Sequence, residues 1–145
     1  MEKHEIIAKL PYSKPFLFVD EILDIDENGV KGTYTFDENL DFYKGHFKGN
    51  PITPGVILTE TMAQIGLACL GIFLLNNNLN DNTVVAFTSA DMHFVKAVYP
   101  NEKVTVTAEK IYFRFGKLKC NAVMKNEAGQ EVCKGIIAGI ITTRL

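Results

Sequence analysis

Two ionisable side chains stand out for their setting. His46 lies in the stretch Phe42-Tyr43-Lys44-Gly45-His46-Phe47-Lys48-Gly49-Asn50-Pro51-Ile52-Thr53-Pro54-Gly55-Val56, bracketed by Gly45 and Gly49 and followed by two prolines. Such a segment is stiff at its prolines and allows close backbone approach at its glycines. Loops of this kind position reactive groups. Glu60 follows fourteen residues later in an apolar run, with Gln64 one helical turn further on the same face. A carboxylate there is costly unless paired or used, and apolar surroundings raise its pKa towards neutrality. An imidazole that takes a proton and a carboxylic acid that still holds one are the two halves of general acid–base chemistry. Taken alone, His46 also fits a surface loop and Glu60 a salt-bridged or capping residue. Their joint occurrence beside a helix start points to chemistry.

The elements that must hold these groups follow from the apolar pattern. Thr53-Pro54 opens a helix, Thr as the cap and Pro at the first helical position. Val56 to Leu75 is apolar on all sides and long enough to cross a bilayer. It also holds Glu60, Gln64, two threonines and two glycines, which favours a fully buried helix over a membrane span. Asn76-Asn77-Asn78 stops it. Upstream, residues 5–10 form a short helical lead-in ending at Pro11. Phe16 to Leu23 reads as a strand that turns at Asp26-Glu27-Asn28-Gly29 and returns as Val30 to Phe36. Downstream come strands over Thr83 to Val95, Lys103 to Phe115, the alternating Leu118, Cys120 and Ala122, and Gln130 to Thr142. Val104, Val106 and Ala108 share one face of the second of these. A single sheet buries such a helix only by curling around it, so the expected class is α+β. A curled sheet leaves edges, for which pairing with a second copy is the usual remedy.

Composition bounds the function. The 145 residues are enough for one domain, residues 1–145. The formal charge of −2 argues against a general nucleic-acid binder. Cys69, Cys120 and Cys133 are odd in number and match no metal spacing, so they are expected as reduced core residues. The charged start Met1-Glu2-Lys3-His4-Glu5 has no apolar stretch behind it, which points to a cytoplasmic protein without a signal peptide. His4, His46 and His93 form no HExxH pattern, and there is no GxSxG, Walker A or GxGxxG motif. His93 alternates into a strand and is expected to be structural.

Gly45-His46-Phe47-Lys48-Gly49-Asn50-Pro51-Ile52-Thr53-Pro54-Gly55-Val56, followed by Glu60-Thr61-Met62-Ala63-Gln64, resembles the signature of the FabZ-type 3-hydroxyacyl-[acyl-carrier-protein] dehydratases. That family commonly reads GHFPGxPxxPGVL and then E-A-x-A-Q. Leu10-Pro11-Tyr12-Ser13-Lys14-Pro15-Phe16-Leu17-Phe18-Val19-Asp20 is similar to the family's LPHRxPFLxVD, and Phe94 to Glu102 to its F-x-x-P-V-x-P-G-D. The departures are Lys48 for Pro, Thr61 for Ala, Ala97 for Pro, Asn101 for Gly, and Tyr12-Ser13 for His-Arg. They mark a divergent branch, of the kind that serves an aryl-polyene or modified-lipid pathway.

The resemblance implies a hotdog fold and dehydration of a (3R)-hydroxyacyl thioester to the trans-2-enoyl thioester. By carry-over, His46 removes the α-proton and Glu60 protonates the departing hydroxyl. The Gly55 backbone N–H holds the thioester carbonyl, and Gln64 belongs to the substrate site. His46 and Glu60 come from different protomers of a homodimer, and such dimers often gather as trimers of dimers. The implied partner is acyl carrier protein, whose phosphopantetheine carries the substrate; no metal or organic cofactor is implied. Lys96, Lys103, Lys110, Arg114, Lys117 and Lys119 are candidates for a basic carrier-docking patch or ordinary outward strand charges. Lys44 and Lys48 are open to the same two readings. Two competing functions share the fold. One is a hotdog acyl thioesterase, which the Gly-His-Phe loop disfavours. The other is a non-catalytic acyl-binding subunit.

Overall fold

The computed structural model describes residues 1–142. A short helix α1 (Lys3–Ala8) precedes strands β1 (Glu21–Asp26) and β2 (Gly29–Thr35). A 3-10 turn at Asp41–Lys44 leads to the central helix α2 (Gly55–Leu75). Strands β3 (Val84–Phe94), β4 (Lys103–Arg114), β5 (Lys117–Asn126) and β6 (Glu131–Thr142) follow. The order across the single sheet is β1-β2-β4-β5-β6-β3, with every neighbour antiparallel. The sheet wraps α2, so the α+β hotdog expectation holds. Residues 143–145 of the expected domain lie outside the described residues.

The alternation read from the sequence is the pattern that buries the sheet. Val104, Val106, Ala108, Leu118, Cys120, Ala122 and Met124 are all at most 1% exposed and face α2. From the helix, Met62, Ile65, Ala68, Cys69 and Leu70 are fully buried against them. At about 1.5–3 kcal/mol for each large apolar side chain removed from water, this burial dwarfs the cost of one hydrogen-bonded Gln64. It also settles what the long apolar segment is. Gly55–Leu75 has a mean hydropathy of 1.7, enough for a membrane span, but 72% of its most apolar window is buried inside the protein. Gly66 lets helix and sheet meet closely, since a β-carbon there would stand 3.1 Å from that of Ala108.

Three local expectations are corrected. Phe16 to Asp20 is not strand; β1 begins at Glu21. The backbone of Phe16 and Phe18 is paired instead with the Gln64 side chain. Thr53 does not cap α2. Its hydroxyl pairs with the Tyr43 hydroxyl at 2.5 Å, Pro54 takes the cap position, and the helix starts at Gly55. The helix itself is not uniform: Gln64–Cys69 is a π-helical segment, which spacing alone cannot reveal. The turn at Asp26 holds as read, its carboxylate accepting the N–H groups of Asn28 and Gly29 at 2.7 and 3.1 Å. Asn101, which stands at the family's glycine, adopts φ of 68°, a left-handed conformation that Asn tolerates better than most residues. The three cysteines are buried and free, their thiols pushed up to about 12 by burial.

Candidate active site

His46 sits half-buried on a loop whose shape is set by its own backbone. The Ile52 N–H donates to the His46 carbonyl at 2.8 Å, Phe47 and Asn50 exchange N–H···O bonds of 2.9 and 3.0 Å, and the Thr53 N–H reaches Val98 O at 2.8 Å. Gly49 provides the left-handed corner at φ of 66°. The imidazole is anchored in the same way, with Nδ1 2.8 Å from the Ile52 carbonyl oxygen. A carbonyl can only accept, so Nδ1 carries the hydrogen and the neutral ring presents Nε2 as an acceptor. That tautomer is the one a general base requires. The Phe47 ring stacks on the imidazole at 4.1 Å.

Glu60 is held by side chains instead. Gln64, fully buried, donates from Nε2 to the Glu60 carboxylate at 3.0 Å and to Phe16 O at 3.0 Å. Its Oε1 accepts the Phe18 N–H at 2.8 Å. One amide thereby ties the carboxylate to the segment before β1. Burial raises the pKa of Glu60, and the hydrogen bond from Gln64 partly offsets this. Thr59 and Thr61, on the same helical turn, return their hydroxyls to the Gly55 and Ile57 carbonyls at 3.1 and 2.8 Å. The departure at Thr61 therefore adds no unpaired group. Glu60 lines a small cavity with Tyr12, Ala63, Leu67, Val85 and Phe87.

Gly55 opens the helix without a side-chain cap, so its amide belongs to the unpaired, electropositive first turn. A β-carbon at Gly55 would stand 3.3 Å from the Phe94 ring. The amide borders an open groove lined by Thr53, Leu58 and Phe94 to Ala97. Within one chain, Glu60 and Gln64 are brought into contact, whereas neither His46 nor Gly55 lines the Glu60 cavity. Lys44 pairs with Asp41 on the surface at 3.1 Å. His93, expected to be structural, is an exposed side chain of β3 lying 3.7 Å from Asp91. Two groups in contact with these residues were not singled out from sequence. The Ile52 carbonyl has no side-chain signature, and Tyr12 was visible only as a departure within the Leu10-Pro11 motif. Among the described residues, no group of three His, Cys, Asp or Glu side chains forms a metal site.

Comparison with known proteins places the chain in a family. Residues 10–134 match the FabA-like domain family. The chain is 34% identical over 134 residues to the 3-hydroxyacyl-[acyl-carrier-protein] dehydratase FabZ of Caldicellulosiruptor saccharolyticus, covering 90% of this chain and 91% of that one. It is 33% identical over 134 residues to the FabZ of Petrotoga mobilis, covering 92% and 91%. Among solved structures, the dehydratase heterocomplex ApeI:P of Xenorhabdus doucetiae matches with a TM-score of 0.79 at 11% identity, over 98% of this chain and 92% of that one. A mutant thioesterase of Pseudomonas aeruginosa matches with a TM-score of 0.68 at 10% identity, over 98% and 94%. At such identities the structural matches speak for the fold alone, and dehydratase and thioesterase share it. The sequence matches separate them: the chain belongs to the FabA-like family, among the FabZ-type 3-hydroxyacyl-[acyl-carrier-protein] dehydratases.

Proposed function

We propose that the protein eliminates water from a (3R)-hydroxyacyl thioester carried on acyl carrier protein, giving the trans-2-enoyl thioester for fatty-acid or related lipid or polyene synthesis. The observation that carries this reading is the opposite preparation of two groups: an imidazole with a free Nε2 and a desolvated carboxyl inclined to hold its proton. Elimination beside a carbonyl needs both at once. His46 Nε2 takes the C2 proton. The electrons of that bond form the C2=C3 double bond, the C3–O bond breaks, and Glu60 protonates the departing oxygen. The Gly55 N–H, at the positive end of α2, receives the thioester carbonyl and stabilises the charge that develops there. Gln64 aims the carboxyl. No step calls for a metal or organic cofactor.

The working unit we propose is a homodimer of one-domain chains, residues 1–145, in which His46 of one protomer faces Glu60 of the other. Two features support it. Neither His46 nor Gly55 lines the Glu60 cavity of its own chain. Strand β3 is a sheet edge of 11 residues that exposes Phe87 and Phe94, with exposed Val95 beyond it, and a free edge of that length invites pairing with a copy. Trimers of such dimers fit the same reading.

The carrier protein we assign to the end of the β4–β5 hairpin. Arg114 stands opposite Lys117 and Tyr112 opposite Lys119. The Arg114 guanidinium lies 4.8 Å, and the Lys119 ammonium 5.8 Å, from the Tyr112 ring centre. Phe115 at the tip is fully exposed. Leu118 pairs with Gly139, which lines the Glu60 cavity, so this hairpin end lies one strand spacing, about 5 Å, from the cavity. With its three thiols buried and free, the protein suits the reducing cytoplasm.

The test follows enoyl absorbance and free thiol together on one 3-hydroxyacyl carrier substrate, with chain length varied. Enoyl formation without thiol release is expected. Thiol release without enoyl would make the protein a thioesterase, and neither product would leave an acyl-binding subunit.

A further inference from the structure

The cavity beside Glu60 has a volume of about 20 Å³. That is room for one water-sized group, which needs about 10–15 Å³. Its walls are nearly all apolar, from Ala63, Leu67, Val85, Ala86 and Phe87, with Gly139 as the remaining backbone. Two residues with polar side chains break that lining, Glu60 and Tyr12. A water or hydroxyl held in such a place needs two to four polar partners, and a carboxyl alone provides one. The Tyr12 hydroxyl has no hydrogen-bond partner among the described residues, unlike that of Tyr43, which is paired with Thr53. Nor is Tyr12 there by accident of a loose loop. Its ring packs against Phe16 at 6.4 Å, and Phe16 is bound through its carbonyl to the same Gln64 amide that holds Glu60. One buried side chain thus holds Glu60 and the backbone of Phe16, whose ring Tyr12 packs against.

We infer that this cavity receives the hydroxyl that leaves as water, and that Tyr12 is its second polar wall, donating a hydrogen bond to the 3-oxygen while Glu60 protonates it. The inference rests on the dehydration proposed above. When the C3–O bond breaks, its electron pair stays on the oxygen and the Glu60 proton joins it, completing the water. Tyr12 gives up no proton. Burial and the neighbouring Glu60 push its phenol up to about 12, so it remains a donor throughout the neutral range. In the reverse direction the same two groups hold the attacking water.

The experiment uses the full chain with a short (3R)-hydroxyacyl thioester and, separately, its trans-2-enoyl product plus water. A parent protein that interconverts neither would overturn the dehydration reading and leave Tyr12 with no reaction to assist. With an active parent, Tyr12→Phe keeps the ring and removes only the hydroxyl. Its kcat is expected to fall about tenfold or more in both directions, with KM changed less than about twofold and the melting temperature unaltered. Tyr12→His, which retains a ring donor, should recover part of that loss. A Tyr12→Phe kcat within about twofold of the parent overturns the inference. So does a larger loss that comes with a lower melting temperature and no recovery in Tyr12→His, because packing alone would produce it.

Discussion

The two groups proposed to move protons are held in opposite ways. His46 stands on a loop of glycines and prolines, and nearly everything that fixes it is backbone: the Ile52 carbonyl at Nδ1 and the Ile52 N–H on its own carbonyl. Glu60 stands inside a greasy helix, and what fixes it is a side chain, Gln64, with partners 46 and 48 residues away in sequence. The difference suits the two proposed tasks. A base must present an unshared electron pair, so it needs its other nitrogen occupied and its surroundings open to substrate. An acid must keep a proton at neutral pH, so it needs desolvation and few donors. Backbone loops supply the first condition and a hydrophobic core supplies the second.

Removing either group should have the most severe consequence. His46→Ala and Glu60→Gln should each lower kcat by about 10²–10⁴-fold, with substrate binding much less affected. Mixing the two inactive variants then distinguishes a shared site from a local one. Random subunit exchange yields hetero-pairs with one intact site, and about a quarter of the parental activity should return. Absence of rescue with exchange confirmed by mass would place base and acid within one chain. Unchanged turnover in both single variants would remove them from the mechanism.

The same contrast explains what was legible in the amino-acid sequence. The fold was readable because periodicity records burial directly: Val104, Val106 and Ala108 on one strand and Leu118, Cys120 and Ala122 on the next were inward by alternation and are inward in space. Glu60 was readable because a charge in an apolar run is conspicuous. His46 was readable from its glycine and proline frame. The network around them was not. Gln64 reaches back to Phe16 and Phe18, and no local rule announces a side chain that replaces a strand partner. That substitution is also why the strand expected from Phe16 begins only at Glu21. Thr53 misled for a related reason. Its hydroxyl had a stronger use against Tyr43 than as a helix cap, and a three-dimensional neighbour overrides a local preference.

Gln64 offers the next largest effect, because it holds both the backbone of Phe16 and Phe18 and the carboxyl proposed as the acid. Gln64→Leu keeps the volume and deletes three hydrogen bonds. It leaves the buried Phe18 N–H without its acceptor, a loss of about 2–4 kcal/mol in unfolding free energy. Denaturant titration measures this. The corresponding change on the other side of the comparison, Lys48→Ala in the exposed part of the His46 loop, should lie within about 0.5 kcal/mol of the parent. If the two substitutions cost the same, the buried amide is not the tie described here.

The smallest effect concerns pH, and it isolates Glu60 from catalysis altogether. Burial raises its pKa in the folded protein, so over a window of pH the folded chain holds a proton that the unfolded chain has released. The stability that goes with the protonated carboxyl is complete below the ordinary carboxylate pKa. It is lost as pH rises through the higher value of the folded state. Glu60→Gln has no such proton to lose, and its amide can still accept from Gln64. Parent and variant should therefore melt together at or below about pH 4, and the variant should become the more stable of the two as pH rises. Because Glu60 is only half-buried, solvent screening keeps the difference small, and its sign carries the information. A parent that gains on the variant with rising pH would mean that the site stabilises the carboxylate. Glu60 would then be an anion at neutral pH with no proton for the departing hydroxyl. The contrast between an open base and a desolvated acid would fail at its acid half.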